Sequence, residues 1–262
     1  MTTKTVLITG ASSGIGYATA LAFTRHGWNV VATARRADKL AQLEQAVSAL
    51  PTPHGELLAV AADVQNAADV QNAVRLGVSR FGRLDALVAN AGVGQRGSIA
   101  DSKWEDIETL LRTNIDGVLH SIRAAVPEMR KMQGGHIVLI SSVVYNMVSP
   151  YAATYAASKA FVSSLAAALR FELQADHIGV TDLLVGRTES EFSQSRLGQS
   201  GYSEKASGRL PRMTAEQVAS AVVKACDGKS GRYALRFFDR LIVLGNLLVP
   251  GLIGRMAMRQ YK

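Results

Sequence analysis

Short runs of apolar, often β-branched residues alternate with longer stretches of helical periodicity along most of the chain, and this alternation constrains the fold most strongly. The runs lie at residues 5–9, 30–34, 57–61, 84–89, 136–140 and 180–185, with a last one at 233–235. Strands that are apolar throughout are buried on both faces, so the intervening helices must cover the sheet on two sides. The pattern therefore predicts a single-domain α/β protein with a doubly wound parallel sheet of about seven strands.

Residues 1–235 contain all of these strands, with no internal repeat and no linker that would divide them. Two segments depart from the alternation. Residues 186–212 are rich in glycine, serine and charge, which predicts a substrate loop or lid beside the end of a strand. Residues 236–262 form a C-terminal extension that carries an apolar run of 14 residues, 241–254.

Basic residues flank this apolar run, namely Arg236, Arg240, Arg255, Arg259 and Lys262. A helix needs about 20 apolar residues to span a bilayer, so the run is too short for that role. The sequence favours packing against the domain or at an oligomer interface. A helix lying in a membrane interface is the alternative.

The formal net charge of +8 is concentrated in the last quarter of the chain. Residues 196–262 contain 12 Lys and Arg against 4 Asp and Glu, whereas residues 1–195 are balanced. This asymmetry is compatible with anionic lipid or an anionic substrate. Nucleic acid is disfavoured, because the basic residues are scattered and few aromatic residues accompany them.

The single cysteine, Cys226, excludes an intramolecular disulfide, and the five histidines lack metal-ligand spacing, so no metal site is expected. The first ten residues lack the apolar core of a secretory signal. These features predict a cytoplasmic protein, with peripheral membrane contact as the alternative that the extension leaves open.

The first predicted strand runs into a glycine-rich turn, TGASSGIG, at residues 9–16, and a helical stretch follows. Glycines let the backbone approach a pyrophosphate, and the amides at the helix start face the anion. We therefore expect dinucleotide binding at this turn. The residues assigned to it are Gly10, Ser12, Ser13, Gly14, Ile15 and Gly16.

The end of the second strand indicates which dinucleotide binds. Sites for NAD place an acidic residue there, but this chain has Ala34, followed by Arg35 and Arg36. Guanidinium groups suit a 2′-phosphate, and the hydroxyl of Ser13 can add a hydrogen bond. The sequence therefore predicts NADP(H).

Tyr155 and Lys159 lie four residues apart, on one face of a predicted helix. A phenol has a pKa near ~10, and a neighbouring cation favours its ionised form, so the pair is suited to proton exchange with a carbonyl oxygen. Ser142, at the end of a strand, can donate to the same oxygen, whereas Ser141 would face away. Tyr151 is expected to be a pocket wall.

Together these motifs resemble the short-chain dehydrogenase/reductase family, whose fingerprints are TGxxxGIG and YxxxK with a serine thirteen residues before the tyrosine. The resemblance covers residues 4 to about 235 and includes further matches. These are Asn114 in TNIDG, the turn formed by Asn90, Ala91 and Gly92, and the adenine-holding pair Asp63 and Val64.

The resemblance implies a Rossmann-type fold and hydride transfer between a nicotinamide and a carbonyl or alcohol. It also implies that Lys159 binds the nicotinamide ribose, that Asn114 holds a relay water and that the chain forms a homodimer or homotetramer. One motif departs from the family: PGxxxT is replaced by VGRTES at residues 185–190. Val185 replaces the proline, Gly186 is kept, and Thr188 or Ser190 can bond the carboxamide.

The sequence thus predicts an NADP(H)-dependent oxidoreductase that interconverts a carbonyl and an alcohol, with Asn114, Ser142, Tyr155 and Lys159 as catalytic residues. An apolar substrate is expected, because the pocket residues assigned from the sequence are Val143, Val144, Tyr145, Met147 and Tyr151. Direct substrate contact is assigned to Ser142, Val144, Tyr151 and Tyr155. The alternative is a non-catalytic NADP(H) sensor or scaffold.

Overall fold

A computed structural model describes residues 3–189, 191–193, 196–198 and 212–259 of the chain. Seven parallel strands form one sheet in the order β3-β2-β1-β4-β5-β6-β7. The strands are β1 Thr5–Thr9, β2 Asn29–Ala34, β3 Leu57–Ala61, β4 Ala86–Ala89, β5 Gly135–Ser142, β6 Ile178–Val185 and β7 Gly231–Ala234. The predicted single-domain, doubly wound α/β fold is confirmed.

Strand boundaries follow sheet pairing more closely than apolar character. β5 extends beyond the predicted run to Ser141 and Ser142, which lie opposite Leu184 and Val185 of β6. A serine does not look like a strand residue by hydropathy. It is nevertheless held in the sheet because its neighbour in β6 continues the ladder.

Helices cover both faces of the sheet, as the alternation predicts. They are α1 Gly14–Arg25, α2 Ala37–Ser48, α3 Ala67–Phe81, α4 Trp104–Leu111, α5 Gly117–Lys131, α6 Ala153–Glu172, α7 Ala215–Asp227, α8 Phe237–Leu248 and α9 Pro250–Met258. A π-helical turn, Arg112–Asp116, joins α4 to α5, and 3₁₀ turns occupy Val143–Asn146 and Glu191–Ser193.

Two apolar cores lie on opposite faces of the sheet. Along β1, Val6 and Ile8 face the core formed with α1, α2 and α7, whereas Leu7 faces the core formed with α3, α5 and α6. This alternation follows from the two-residue period of a strand. Because the helices cover the faces, the carboxyl edge of the sheet remains available for a site.

The C-terminal extension forms α8 and α9, which are bent by 110° relative to each other. The side chain of Asn146 donates to the backbone oxygen of Val243 at 3.1 Å, and the amide of Val148 donates to Asn246 Oδ1 at 3.2 Å. Hydrogen bonds therefore attach α8 to the turn after β5. Within the described residues, no single helix has the length and apolar composition to span a membrane, although α8 and α9 meet that test as a bent pair.

Candidate active site

A cavity of about 840 Å³ lies at the carboxyl edge of the sheet. It extends from the glycine-rich turn after β1 to the start of α6, and most of the residues predicted for the site line it. These are Gly10, Ser12, Ser13, Gly14, Ile15, Arg35, Arg36, Asp63, Val64, Asn90, Ala91, Gly92, Ser142, Val144, Tyr155, Lys159, Gly186 and Thr188.

Close contacts in the glycine-rich turn explain why it contains glycines. Gly10 has φ +70°, and a Cβ there would lie 2.8 Å from Ala91 Cα. A Cβ on Gly16 would lie 2.2 Å from the oxygen of Gly10, so Gly16 supports the turn from beneath and does not line the cavity. Ser13, the N-cap of α1, makes no side-chain capping bond, so the first amides remain available to an anion. The turn therefore fits a dinucleotide pyrophosphate.

Asn90 connects this turn to the end of β4. Its Nδ2 donates to the backbone oxygens of Thr9 and Gly10 at 2.9 and 3.2 Å. The hydroxyl of Thr9 in turn accepts from the amides of Asn90 and Ala91, both at 3.1 Å. Asn90 therefore braces the strand ends that shape the cavity, in addition to lining it.

Arg36 lies at the centre of a polar cluster at the end of β2. Its Nη2 donates to Ser12 Oγ at 3.0 Å and to Ser13 Oγ at 2.9 Å. Glu191, which the sequence did not single out, accepts from Nη1 and Nη2 at 3.3 Å each. Arg35 lies 4.0 Å from Asp63. The groups predicted for a 2′-phosphate are thus brought together, with a carboxylate among them.

Tyr155 and Lys159 in α6 and Ser142 at the end of β5 share one wall of the cavity. Lys159 Nζ donates to the backbone oxygen of Ile140 at 2.9 Å and lies 5.9 Å from the centre of the Tyr155 ring. Ser142 Oγ accepts from the amide of Val144 at 3.3 Å. The spacing in the sequence therefore does place the phenol, the ammonium and the hydroxyl together.

Burial controls the protonation of both groups. Desolvation raises the pKa of Tyr155 to about 12, although a hydrogen bond with Ser142 and the charge of Arg196 lower it in part. Desolvation also lowers the pKa of Lys159 to about 8, against the opposing influence of Asp182. Burial is thus the largest influence on the phenol and raises its pKa, while the effect of Lys159 on that pKa stays a prediction.

Asn114 lies in the π-helical turn, buried behind the cavity wall. Its Nδ2 donates to the oxygen of Val93 at 3.0 Å and to Ser158 Oγ at 3.1 Å, and its Oδ1 accepts from the amide of Val93 at 2.8 Å. Both amide hydrogens therefore bond to protein atoms. A water relay at Asn114 would have to use its oxygens, and the predicted relay stays a prediction.

Two tyrosines predicted for the pocket do not line the cavity. Tyr145 places its ring 4.7 Å from the guanidinium of Arg232, which holds it away from the cavity. Tyr151 has φ +57° and is 38% exposed, while its neighbours Pro150 and Ala152 line the wall. Tyr151 is therefore not one of the residues that line the cavity, and the structure does not support its assignment to substrate contact.

The sequence does not single out several of the cavity residues, although Phe192 and Arg196 lie within the predicted substrate loop, residues 186–212. The ring of Phe192 lies 5.8 Å from that of Tyr155, and Gln95 and Arg196 also line the cavity. The extension contributes as well, through Arg236, Phe238, Asp239, Ile242 and Ala257. Only long-range packing brings these residues to the site.

The predicted lid, residues 186–212, is described in part. Isolated bridges pair Thr188 with Met213 and Leu197 with Gln95. Thr188 Oγ1 donates to the oxygen of Gly186 at 3.2 Å, and Val185 is the buried last residue of β6. Ser190 and residues 194–195 and 199–211 lie outside the described part, so the lid prediction is not tested there.

Within the described ranges, no three His, Cys, Asp or Glu side chains are grouped to hold a metal ion.

Comparison with known proteins agrees with the fold and the motifs. The family model described as short chain dehydrogenase matches residues 4–200. The oxidoreductase UcpA of Salmonella typhimurium is 38% identical over 201 residues, which cover 76% of this chain and 75% of that protein.

Similar solved structures include an alcohol dehydrogenase from the archaeon Thermococcus sibiricus complexed with 5-hydroxy-NADP. It has a TM-score of 0.77 and 26% identity, and the match covers 89% of this chain and 96% of that one. A 3-ketoacyl-(acyl-carrier-protein) reductase from Brucella melitensis complexed with NADH has a TM-score of 0.78 and 27% identity, with the same shares covered.

Proposed function

The chain belongs to the short-chain dehydrogenase/reductase family, and from this premise we propose that it is an NADP(H)-dependent oxidoreductase that interconverts a carbonyl compound and an alcohol. One observation carries the proposal. Tyr155, Lys159 and Ser142 share a wall of a cavity that also reaches the glycine-rich turn. The alternative of a non-catalytic sensor is not favoured, because Tyr155, Lys159 and Ser142 are all present at the cavity.

In the proposed reduction, a bound NADPH supplies the hydride that adds to the carbonyl carbon. Tyr155 donates its proton to the carbonyl oxygen as negative charge develops there. The hydroxyl of Ser142 donates a hydrogen bond to the same oxygen, and Lys159 in its ammonium form stabilises the phenolate that remains. A pKa of about 12 keeps Tyr155 protonated at neutral pH, as an acid requires.

The preference for NADP(H) is supported by the residues at the end of β2. Ala34 leaves no carboxylate at the strand end, and Arg36 with the hydroxyls of Ser12 and Ser13 forms a donor cluster on the cavity. Arg35 lines the same part of the cavity. A dianionic 2′-phosphate would accept from several of these groups together.

The cavity supports an apolar, small-molecule carbonyl substrate. Val143, Val144 and Met147 line it as the sequence predicts, and Phe192 and Phe238 add aromatic surface. We also propose a homodimer or homotetramer, as is common in the family, and the exposed side chains of Trp104 and Phe161 support such a contact. The cytoplasmic location stays a prediction.

The test of the reaction is Tyr155→Phe, with Tyr151→Phe as the matched control. Loss of the proton donor is expected to lower kcat/KM on any accepted carbonyl by on the order of 10²–10⁴-fold, while the Kd for NADPH stays nearly unchanged. Tyr151→Phe removes the same atom outside the cavity and is expected to leave both unchanged. Turnover that survives in Tyr155→Phe contradicts the acid assignment. No turnover of any carbonyl in a broad panel by the wild type would support the sensor.

The cofactor preference has a separate test in Arg36→Ala. Removing the guanidinium is expected to raise the Kd for NADPH by about tenfold or more, since bonds to a charged group are worth about 1.5–3 kcal/mol. The Kd for NADH should hardly change. Equal losses for the two cofactors would contradict a 2′-phosphate site at Arg36.

A further inference from the structure

Helix α8 buries two polar side chains and exposes a stripe of apolar ones. Its buried side chains are Asp239 and Asn246. An apolar stripe lies on the opposite side of the helix, formed by Phe237, Leu241, Leu244 and Leu248, which are 74, 48, 50 and 69% exposed. The spacing of these residues places them on one helix face. A helix that covers a core in water shows the reverse pattern.

Specific bonds hold α8 in this orientation. Asp239 accepts from Arg236 at 2.7 and 2.8 Å, and this ion pair packs against Gly186. Asn246 accepts from the amide of Val148 at 3.2 Å and donates to the backbone oxygen of Asn146. Rotating the helix to bury its leucines would break the bonds of Asn246 to Asn146 and Val148 and would move the ion pair away from Gly186, so the outward apolar face is a built feature.

Helix α9 adds two further exposed apolar side chains. Leu252 and Met256 are 51 and 57% exposed. A Cβ on Gly254 would lie 2.8 Å from Val148 Cγ1, so a glycine allows close packing on the domain. We call the six exposed residues Phe237, Leu241, Leu244, Leu248, Leu252 and Met256 the tail surface.

Positive charge accompanies the tail surface. Arg240, Arg255 and Arg259 are exposed, and the only acidic residue among positions 236–259 is the buried Asp239, which is paired with Arg236. Apolar side chains together with arginines match a membrane interface, where the former enter the acyl boundary and the latter meet anionic headgroups. In a twofold contact between copies, the same surface would face itself and bring these arginines together. The charge therefore favours lipid over a second copy.

Helices α8 and α9 also form part of the cavity wall. Phe238 and Ile242 of α8 and Ala257 of α9 line the cavity that contains Tyr155. One pair of helices thus has an apolar face toward the outside and apolar residues toward the site. This arrangement suits an apolar molecule that arrives from lipid.

We propose that the tail surface docks on anionic lipid and that the cavity takes an apolar carbonyl substrate from the lipid phase. The proposal that the protein docks on lipid depends only on α8 and α9. The proposal that the substrate comes from lipid rests on the proposed function. The surface lies on the membrane and does not cross it.

Docking is tested with the full chain and two kinds of vesicle, phosphatidylcholine alone and phosphatidylcholine mixed with phosphatidylserine. Wild type is expected to co-sediment with the anionic vesicles and to be released by salt. Leu244→Gln with Leu248→Gln should weaken binding at least tenfold, and Arg255→Gln about fivefold, since a basic residue near an anionic surface is worth ≈ 1 kcal/mol. Phe171→Gln is the control, because Phe171 is 78% exposed at the far end of α6.

Three results would overturn the docking proposal. They are no binding of the wild type to anionic vesicles, an equal loss in Phe171→Gln, and a wild-type dimer that the leucine substitutions dissociate. The last would identify a second copy as the occupant. Circular dichroism and the oligomeric state of each variant are measured alongside.

Substrate access is tested by comparing a short-chain ketone in water with a long-chain aliphatic ketone dissolved in the vesicles. The leucine variant is expected to keep its activity on the soluble ketone and to lose about tenfold on the lipid-dissolved one. Equal retention of both activities overturns the access proposal. A wild type that binds vesicles but reduces neither ketone contradicts the proposed function and leaves docking intact.

Discussion

Glu191 and Arg36, which are 155 residues apart in sequence, are joined by two hydrogen bonds of 3.3 Å at the edge of the cavity. The guanidinium that the sequence assigns to a 2′-phosphate therefore already has an anionic partner. A phosphate that binds to Arg36 must compete with this carboxylate or share the guanidinium with it. The pair also connects the segment after β6 to the end of β2.

Glu191→Gln is expected to lower the Kd for NADPH by about threefold, with little change for NADH. The effect is modest because the ion pair is about half exposed, and such pairs are worth about 0–1 kcal/mol. Fluorescence titration with both cofactors measures it. Glu189→Gln makes the same charge change two residues away, and an equal gain in that variant would show that only the overall charge matters.

Ser142→Ala is expected to move the pH profile of alcohol oxidation to higher pH. Oxidation requires the phenolate, and Ser142 lowers the pKa of Tyr155 against the effect of burial, so losing Ser142 raises that pKa further. We also expect kcat/KM to fall by on the order of 10²-fold, because a donor to the reacting oxygen is lost.

Ser141→Ala is the matched control for this profile. Ser141 is also one of the cavity residues, but its Oγ bonds Ser163 Oγ at 2.8 Å and donates to the backbone oxygen of Lys159 at 3.2 Å, and these bonds, unlike that of Ser142, are not to the phenol. Ser141→Ala should therefore leave the pH profile of alcohol oxidation unchanged. A shift of the same size in both variants would contradict the bond between Ser142 and the phenol as the cause.

Lys159→Met is expected to abolish turnover and yet to stabilise the fold by about 2 kcal/mol at pH 7. Burial lowers the pKa of Lys159 from 10.5 to about 8, so the folded state holds this ammonium at a cost that the unfolded state does not have. Between pH 8 and 10.5 the unfolded chain binds the extra proton, so wild-type stability rises with pH there.

The advantage of Lys159→Met should therefore be largest below pH 8 and shrink as the pH rises toward 10.5. Urea unfolding at several pH values measures it. Lys224→Met removes an exposed lysine from α7 and should be nearly neutral throughout. A pH-independent difference between wild type and Lys159→Met would contradict the depressed pKa.

Asp239→Ala is expected to destabilise the protein by about 3 kcal/mol. The Asp239 side chain is 1% exposed, and its removal leaves the largely buried guanidinium of Arg236 without its carboxylate. Asp227→Ala breaks the pair with Lys4, in which both side chains are more than half exposed, and should cost less than about 1 kcal/mol. Similar losses in the two variants would contradict the role of Asp239 in anchoring α8.

Local chemistry made much of the fold and site predictable. The strands at 5–9 and 57–61 coincide with their predicted bounds. For the fully buried strand at 5–9 the reason is that continuous apolar sequence and sheet burial express the same requirement. The spacing of Tyr155 and Lys159 predicts a shared helix face, since four residues make about one helical turn. The glycine-rich turn is predictable for a similar reason, because a Cβ does not fit at Gly10 or Gly16.

Other features depend on contacts between distant parts of the chain. Tyr145 and Tyr151 look like pocket residues because they follow β5 closely, but neither lines the cavity, and the ring of Tyr145 packs on Arg232 instead. Phe192 and Glu191 carry no motif of their own. They reach the site because the segment after β6 packs across it.

The sequence by itself determined the order of strands and helices, the dinucleotide turn and the pairing of Tyr155 with Lys159, because each depends on residues close together in the chain. Only the tertiary structure decided that burial raises the pKa of the phenol, that Glu191 pairs with Arg36 and that α8 faces outward with its leucines. Desolvation, ion pairing and helix orientation depend on which distant groups surround a residue, and spacing along the chain does not contain that information.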